Sequence, residues 1–142
     1  MRYAIILIVI IINKEIMERK TAQKSIILEV VQNSTDHPSA DMIYDRARAI
    51  IPKISLGTVY RNLNRLAEDG TIATLSADEM RFDKTVSMHG HFVCRGCGEV
   101  YDVFDGMEEL ERGLEEKGFL TESSSIVFRG LCPECNKNNK NN

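Results

Sequence analysis

The stretch ISLGTVYRNLNRLAEDGTIATLSADEMRFD, residues 54–83, decides the fold. Ser55-Leu-Gly-Thr reads as a helix start, because a serine hydroxyl accepts a bond from an amide that the first turn leaves free. Val59, Leu63 and Leu66 recur at helical spacing and give an apolar stripe to a helix running to about Glu68. Gly70 supplies its stop. Two short β segments follow, Thr71–Leu75 and Arg81–Asp83, joined by the turn Ser-Ala-Asp-Glu. The polar face of the helix carries Tyr60, Arg61, Asn62, Asn64 and Arg65, with Ser55 and Thr58 at its start. Such side chains reach base edges and phosphates, although a plain solvated face has the same look.

The residues upstream favour the first reading. Thr21 is expected to cap a helix whose apolar stripe is Ile26, Ile27, Val30 and Val31. Asn33 to Pro38 is a turn, and Ser39 caps a second helix with Met42, Ile43, Ala47 and Ile50 inward, closed by Pro52. Three helices and a hairpin are the pattern of a winged helix-turn-helix, with the third helix as the DNA reader. Ahead of them lies YAIILIVIII, residues 3–12, apolar throughout. It is shorter than the roughly 20 residues a spanning helix needs. Asn13-Lys14-Glu15 offers no small-residue cleavage site. A buried strand or helix is expected, or a true start at Met17.

Downstream, Lys84–Met88 reads as a linker into HGHFVCRGCGEVYD, residues 89–102. On a strand His89 and His91 project to one face, and beyond the turn RGCG a returning strand could bring Asp102 near them. Cys94 and Cys97 form one CxxC pair, and Cys132 and Cys135 form another, CPEC. Repeated close pairs fit tetrahedral zinc better than disulfides, and the 34 intervening residues mean that the site ties distant strands together. An all-sulfur set beside a nitrogen and oxygen set suggests two metals with different jobs. Met107–Lys117 is expected as an acidic helix with Leu110 and Leu114 inside, and Ser125–Phe128 as a strand. The core of this half is thin, so a zinc clamp and a partner chain would both stabilise it. The closing NKNNKNN reads as disordered.

Composition sets bounds. The 142 residues suffice for one or two small domains, and 43% apolar with 27% charged residues is ordinary for a soluble globular chain. Net charge is −3, with nine basic against ten acidic residues from Met17 to Asp83 and seven against ten from Lys84 onward. Bulk attraction to a polyanion is excluded, so any nucleic-acid contact must rest on local placement.

TAQKSIIL, HPSADMIY, ISLGTVYRNLNRLAEDG, RFD, HGHFVCRGCGEV and CPEC occur in an order and spacing that resemble the ferric uptake regulator family, from about Thr21 to Asn136. The resemblance is greatest to its peroxide-sensing branch. It implies an α+β chain: an N-terminal winged-helix DNA-binding domain followed by a small α/β dimerisation domain with a four-cysteine zinc site. The expected boundaries are an extension at 1–20, the DNA-binding domain at 21–83, a hinge at 84–88, the dimerisation and metal-binding domain at 89–136 and a tail at 137–142. It further implies a cytoplasmic homodimer that binds double-stranded operator DNA, represses transcription and is not an enzyme. Cys94, Cys97, Cys132 and Cys135 would hold structural zinc. His37, Asp83, His89, His91 and Asp102 would hold a regulatory Fe(II) or Mn(II), and peroxide would oxidise His37 and His91.

All three histidines of the chain fall on family ligand positions. The aspartate at 102 is the peroxide branch's choice, where most iron-uptake regulators have glutamate. Departures are equally legible. Lys24 stands where arginine is usual, and Tyr60-Arg61 is closer to the iron-uptake type. Gly90 and Ser124 occupy two ligand positions of a third metal site found in some relatives, and the apolar run replaces the usual polar first helix. Three competitors stand beside this reading: a metal-supply sensor without oxidation, a thiol-disulfide protein and a zinc-ribbon interaction module. The thiol-disulfide reading wants its first cysteine at a helix start in a βαβ unit, whereas Cys94 ends a strand.

Overall fold

The computed structural model describes residues 2–140. Helices α1 (Arg2–Asn33), α2 (Ala40–Ile50) and α3 (Leu56–Glu68) are followed by a hairpin of β1 (Ala73–Ser76) and β2 (Met80–Asp83). Strands β3 (Gly90–Cys94) and β4 (Val100–Val103), helix α4 (Met107–Glu115), strand β5 (Val127–Gly130) and helix α5 (Pro133–Lys140) make the second half. The fold is the expected α+β arrangement, a winged helix leading into a small sheet.

Ile27 and Val31 of α1, Ile43 and Ala47 of α2, and Val59, Leu63 and Leu66 of α3 meet in one core, closed by Ile72 just before the hairpin and Phe82 of β2. Each fully buried aliphatic side chain contributes about 1.5–3 kcal/mol, so this interface carries the winged half. Both expected caps form: Ser39 accepts from the Met42 amide and Ser55 from the Thr58 amide. Gly70 ends α3 in the left-handed region at φ 74°, a conformation open to glycine without a Cβ clash.

Helix α1 departs from expectation. Thr21 is no cap; it lies inside a continuous helix, its hydroxyl donating to the Met17 carbonyl at 3.0 Å. The apolar run is helical but not buried, for Ile5 to Ile12 are each 48–61% exposed. The helix projects past the core, and among the described residues nothing covers those side chains. Among the described residues no helix is long and apolar enough to cross a membrane.

In the second sheet β3 is central, antiparallel to β4 and parallel to β5. Its buried apolar side chains are few, chiefly Val100 and Met107 beside Cys94 and Cys132. Leu110, expected inside, is exposed on α4, and Ile50 is exposed at the end of α2, because among the described residues nothing packs on that side of either helix. The expected disorder of the tail is also corrected: α5 carries the asparagine-rich segment as helix through Lys140, while 141 and 142 lie outside the described residues. Helix α5 starts at Pro133, whose missing N–H costs nothing at a first helical position.

Candidate metal centre

Strand β3 carries both sites. Its far end delivers Cys94 to a cluster with Cys97, Cys132 and Cys135, whose sulfurs all lie within 4.8 Å of one another and are not in disulfides. The turn after Cys94 brings back Cys97, and β5 pairs Cys94 with Gly130, so the chain just beyond it presents Cys132. Cys97 Sγ and Cys132 Sγ are 3.9 Å apart. Zinc–sulfur bonds of about 2.3 Å demand tetrahedral edges of about 3.8 Å, so the set fits zinc. Amides turned towards the sulfurs favour thiolate. Those of Cys132 and Cys97 pull the Cys94 thiol down to about 6, whereas the neighbouring sulfurs of Cys132 and Cys94 push Cys135 up to about 12. Gly96 makes room for this geometry: a Cβ there would lie 2.8 Å from Cys135 Sγ and 3.2 Å from Leu131 Cδ2.

The near end of β3 delivers His89 and His91 to the second site. Register pairs His91 directly with Asp102 of β4, which is how the carboxylate reaches the histidines. The other two members come from the winged half. The Phe82 amide donates to the Pro38 carbonyl at 3.0 Å and Ser39 bridges to Arg81, so β2 draws the turn before α2 alongside itself. Asp83, the next residue, thereby lands beside His37. His37 adopts φ 46°, a left-handed conformation uncommon outside glycine.

Asp83 Oδ2 is approached by His89 Nε2 at 2.8 Å, His91 Nε2 at 3.1 Å and His37 Nε2 at 3.5 Å. Asp102 Oδ1 is 2.7 Å from His37 Nε2, 3.4 Å from His89 Nε2 and 3.6 Å from His91 Nε2. The Nε2 atoms of His89 and His91 are 2.9 Å apart. All four residues other than Asp102 are buried. The donor atoms of His37, Asp83, His91 and Asp102 all lie within 4.8 Å of one another.

The Nε2 atoms of all three histidines crowd the two carboxylates, and a neutral ring donates through Nε2 only when its Nδ1 carries no proton. His89 makes the point most plainly. A carbonyl only accepts, so the 2.7 Å contact with the Ser87 carbonyl fixes the proton on His89 Nδ1. A neutral ring then turns the Nε2 lone pair towards Asp83 and towards His91. A cation at the centre would remove that repulsion, and edges of roughly 3 Å are what metal–ligand bonds of about 2.0–2.2 Å require. The donor set fits a divalent ion of intermediate hardness. Asp83 stays ionised here: burial pushes its carboxyl up, but hydrogen bonds from His37 and His91 outweigh that and hold it well below the usual range. Asp83 first, then Asp102, raises the pKa of His37 against its burial.

Sequence reasoning did not single out Phe104, whose ring stacks on His89 at 5.1 Å, nor Ser87, whose carbonyl orients that ring. A backbone acceptor leaves no mark in sequence, and an aromatic three residues beyond β4's midpoint reads as ordinary strand filler.

On α3, Ser55, Tyr60, Arg61, Asn64 and Arg65 are exposed, whereas Thr58 and Asn62 are half-buried. The Asn62 amide donates to the Thr58 carbonyl at 2.8 Å, and Arg61 donates to the Thr58 hydroxyl at 3.1 Å. Lys20 and Lys24 of α1 line one wall of a groove whose other wall holds Arg61 and Arg65. That gathers basic side chains beside the exposed face of α3 in a chain that is acidic in sum.

The Ferric uptake regulator family model matches residues 16–129. The chain is 36% identical over 128 residues to the peroxide operon regulator of Bacillus subtilis, covering 87% of this chain and 88% of that one. It is 31% identical over 121 residues to the peroxide-responsive repressor PerR of Staphylococcus aureus, covering 82% of each. The fold superposes on the peroxide stress regulator of Campylobacter jejuni with TM-score 0.73 at 27% identity, over 89% of this chain and 98% of the other. With a motif order, a fold and two metal-fit clusters that agree, the chain belongs to the Ferric uptake regulator family.

Proposed function

We propose that this protein is a cytoplasmic, homodimeric, metal-dependent transcriptional repressor that releases operator DNA when peroxide oxidises its regulatory site. The observation that carries the reading is the composition of the nitrogen and oxygen cluster. Two members, His37 and Asp83, sit on the winged half, and three belong to the sheet half, His89 just before β3, His91 on β3 and Asp102 on β4. Pulling them to one ion fixes the angle between the halves across residues 84–88. In a dimer that angle sets the spacing of two α3 helices, which must match half-sites about 34 Å apart or a multiple. Metal affinity and DNA affinity are then linked, by a coupling of order 1–3 kcal/mol, about 5–150-fold.

Division of labour follows from donor chemistry. Cys94, Cys97, Cys132 and Cys135 would hold zinc as a permanent clasp on a sheet with a thin core. His37, Asp83, His89, His91 and Asp102 would hold Fe(II) or Mn(II), since imidazole and carboxylate without thiolate favour these ions. A second copy is favoured by the apolar side chains the sheet half leaves exposed, among them Tyr101, Leu110, Leu120 and Phe128. For DNA, Ser55, Thr58, Tyr60, Arg61, Asn62, Asn64 and Arg65 are the residues of the reading helix, with Thr58 and Asn62 bracing it from within.

When bound, Fe(II) would activate peroxide for attack on a neighbouring ring, peroxide itself being the two-electron oxidant and the ring the reductant. One oxygen enters a carbon–hydrogen bond of the His37 or His91 ring and the other leaves as water. His89 is sheltered by Phe104, and its ring is held by Ser87; His37 and His91 lack both restraints, and their rings meet edge-on at 5.3 Å. The peroxide-regulator names of two relatives support a peroxide-sensing role. Losing either ring as a ligand frees the hinge. His37→Ala and His91→Ala are expected to lose metal-dependent DNA binding by tenfold or more on that coupling, about 1.4 kcal/mol. Variants that bind metal and respond to peroxide as the parent does would contradict the proposal.

A further inference from the structure

Arg129 lies on β5, outside both metal clusters, and reaches across to the winged half. Its Nη2 donates to the Ser76 carbonyl at 3.3 Å and to the Ala77 carbonyl at 3.2 Å. These carbonyls stand where β1 enters the hairpin turn. In the parallel register β5 places Val127 beside His91 and Arg129 beside Val93, so Arg129 shares the sheet face that carries His91. Below it, a cleft of about 290 Å³ separates the halves, lined by Thr74 and Leu75 on the hairpin and by Ser124, Ser125 and Ile126 across from them. Arg81 already binds the carboxylates of Asp78 and Glu79 in the same turn, so the turn is held from its own side as well.

We propose that Arg129 is a positioning residue, a metal-independent clasp that holds the wing against the sheet in the arrangement where the five regulatory donors converge. The inference rests on the reading of that cluster as a divalent-metal site. Bringing the halves together is a cost that metal binding must otherwise meet alone. A preformed clasp removes part of it, as any contact present only in the binding-competent state does. The clasp and the simple charge effect of Arg129 have opposite signs. Deleting a cation near a divalent site strengthens metal binding by electrostatics, whereas deleting a clasp weakens it. That opposition makes the residue testable.

The experiment uses the full-length, zinc-loaded protein and Arg129→Ala, Arg129→Gln and Arg129→Lys. Mn(II) affinity is measured by titration, and hydrogen exchange of residues 73–83 is measured without Mn(II). For Arg129→Ala we expect Mn(II) affinity to fall about threefold to tenfold, as loss of two exposed hydrogen bonds implies. Exchange in the hairpin should quicken, while DNA affinity at saturating Mn(II) stays within about twofold. Glutamine, neutral but still a donor, should recover part of the affinity, and so should lysine. Unchanged or tighter Mn(II) binding by Arg129→Ala, or unchanged hairpin exchange, overturns the clasp. Failure of the parent protein to bind Mn(II) would instead remove the metal-site reading and the coupling with it, and the exchange result still decides whether the clasp exists.

Discussion

His89 and His37 show why the proposed regulatory cluster favours a cation at its centre. His89 has its tautomer set by Ser87, and its free nitrogen faces a carboxylate and another imidazole. His37 holds a proton more tightly than an ordinary histidine, through Asp83 and then Asp102. The sign of its pH dependence follows. With no regulatory metal, a raised histidine pKa contributes stability that is present below the unfolded value near 6.5 and is lost as pH rises through the folded value. Metal binding runs the other way, because the ion must displace that proton. Mn(II) affinity is therefore expected to drop by about tenfold per pH unit below the raised pKa of His37, with proton release on binding. Titration calorimetry in buffers of different ionisation enthalpy checks both. Affinity that is flat from pH 8 to 6 would remove His37 from the ligand set.

Among the elements, the CRGC knuckle is the least tolerant. A methyl group at Gly96 meets the Cys135 sulfur well inside contact distance, and the backbone there is pinned by the amide-to-sulfur bond from Gly96 to Cys94. Gly96→Ala is expected to destabilise the sheet half by about 1–3 kcal/mol and to lower zinc retention, read from thermal unfolding and metal content. What sequence could disclose divides along the same lines. Helix α3, its cap, its buried stripe and its glycine stop were all legible, because each is a local signal. Asp102 was legible through strand alternation and a short turn. His37 and Asp83 entered only through resemblance, since their meeting depends on β2 pairing with the turn before α2, a contact 44 residues apart in sequence between His37 and Arg81. In the apolar run the helix forms but the burial does not, because a uniformly apolar run has no face to assign and hydrophobicity alone suggested burial. Leu110 and Ile50 misled for a related reason: periodicity marks an apolar stripe but not whether anything packs on it.

At the scale of the whole molecule the stability is lopsided. The winged half has a continuous aliphatic core, while the sheet half relies on a few side chains around four cysteines. Removing zinc with a chelator should therefore unfold the sheet half first and leave the helices of the winged half formed. Circular dichroism should show most helical signal kept, while exchange protection in β3, β4 and β5 collapses. A single cooperative loss of all structure on chelation would mean that the halves are more interdependent than their cores suggest. The same lopsidedness would suit the proposed switch, in which a rigid winged half is held to a clasped sheet by the ligands that span them.

The most direct test of the central claim, that peroxide acts on DNA binding through this cluster, is anaerobic. Zinc-containing protein is loaded with Fe(II) or with Mn(II), dilute peroxide is added, and DNA binding is followed alongside the masses of peptides carrying His37 and His91. The account predicts release of DNA from the iron form alone, with one oxygen added to His37 or His91. Unmodified histidines with DNA held by both forms would contradict it and leave a repressor that reads metal supply.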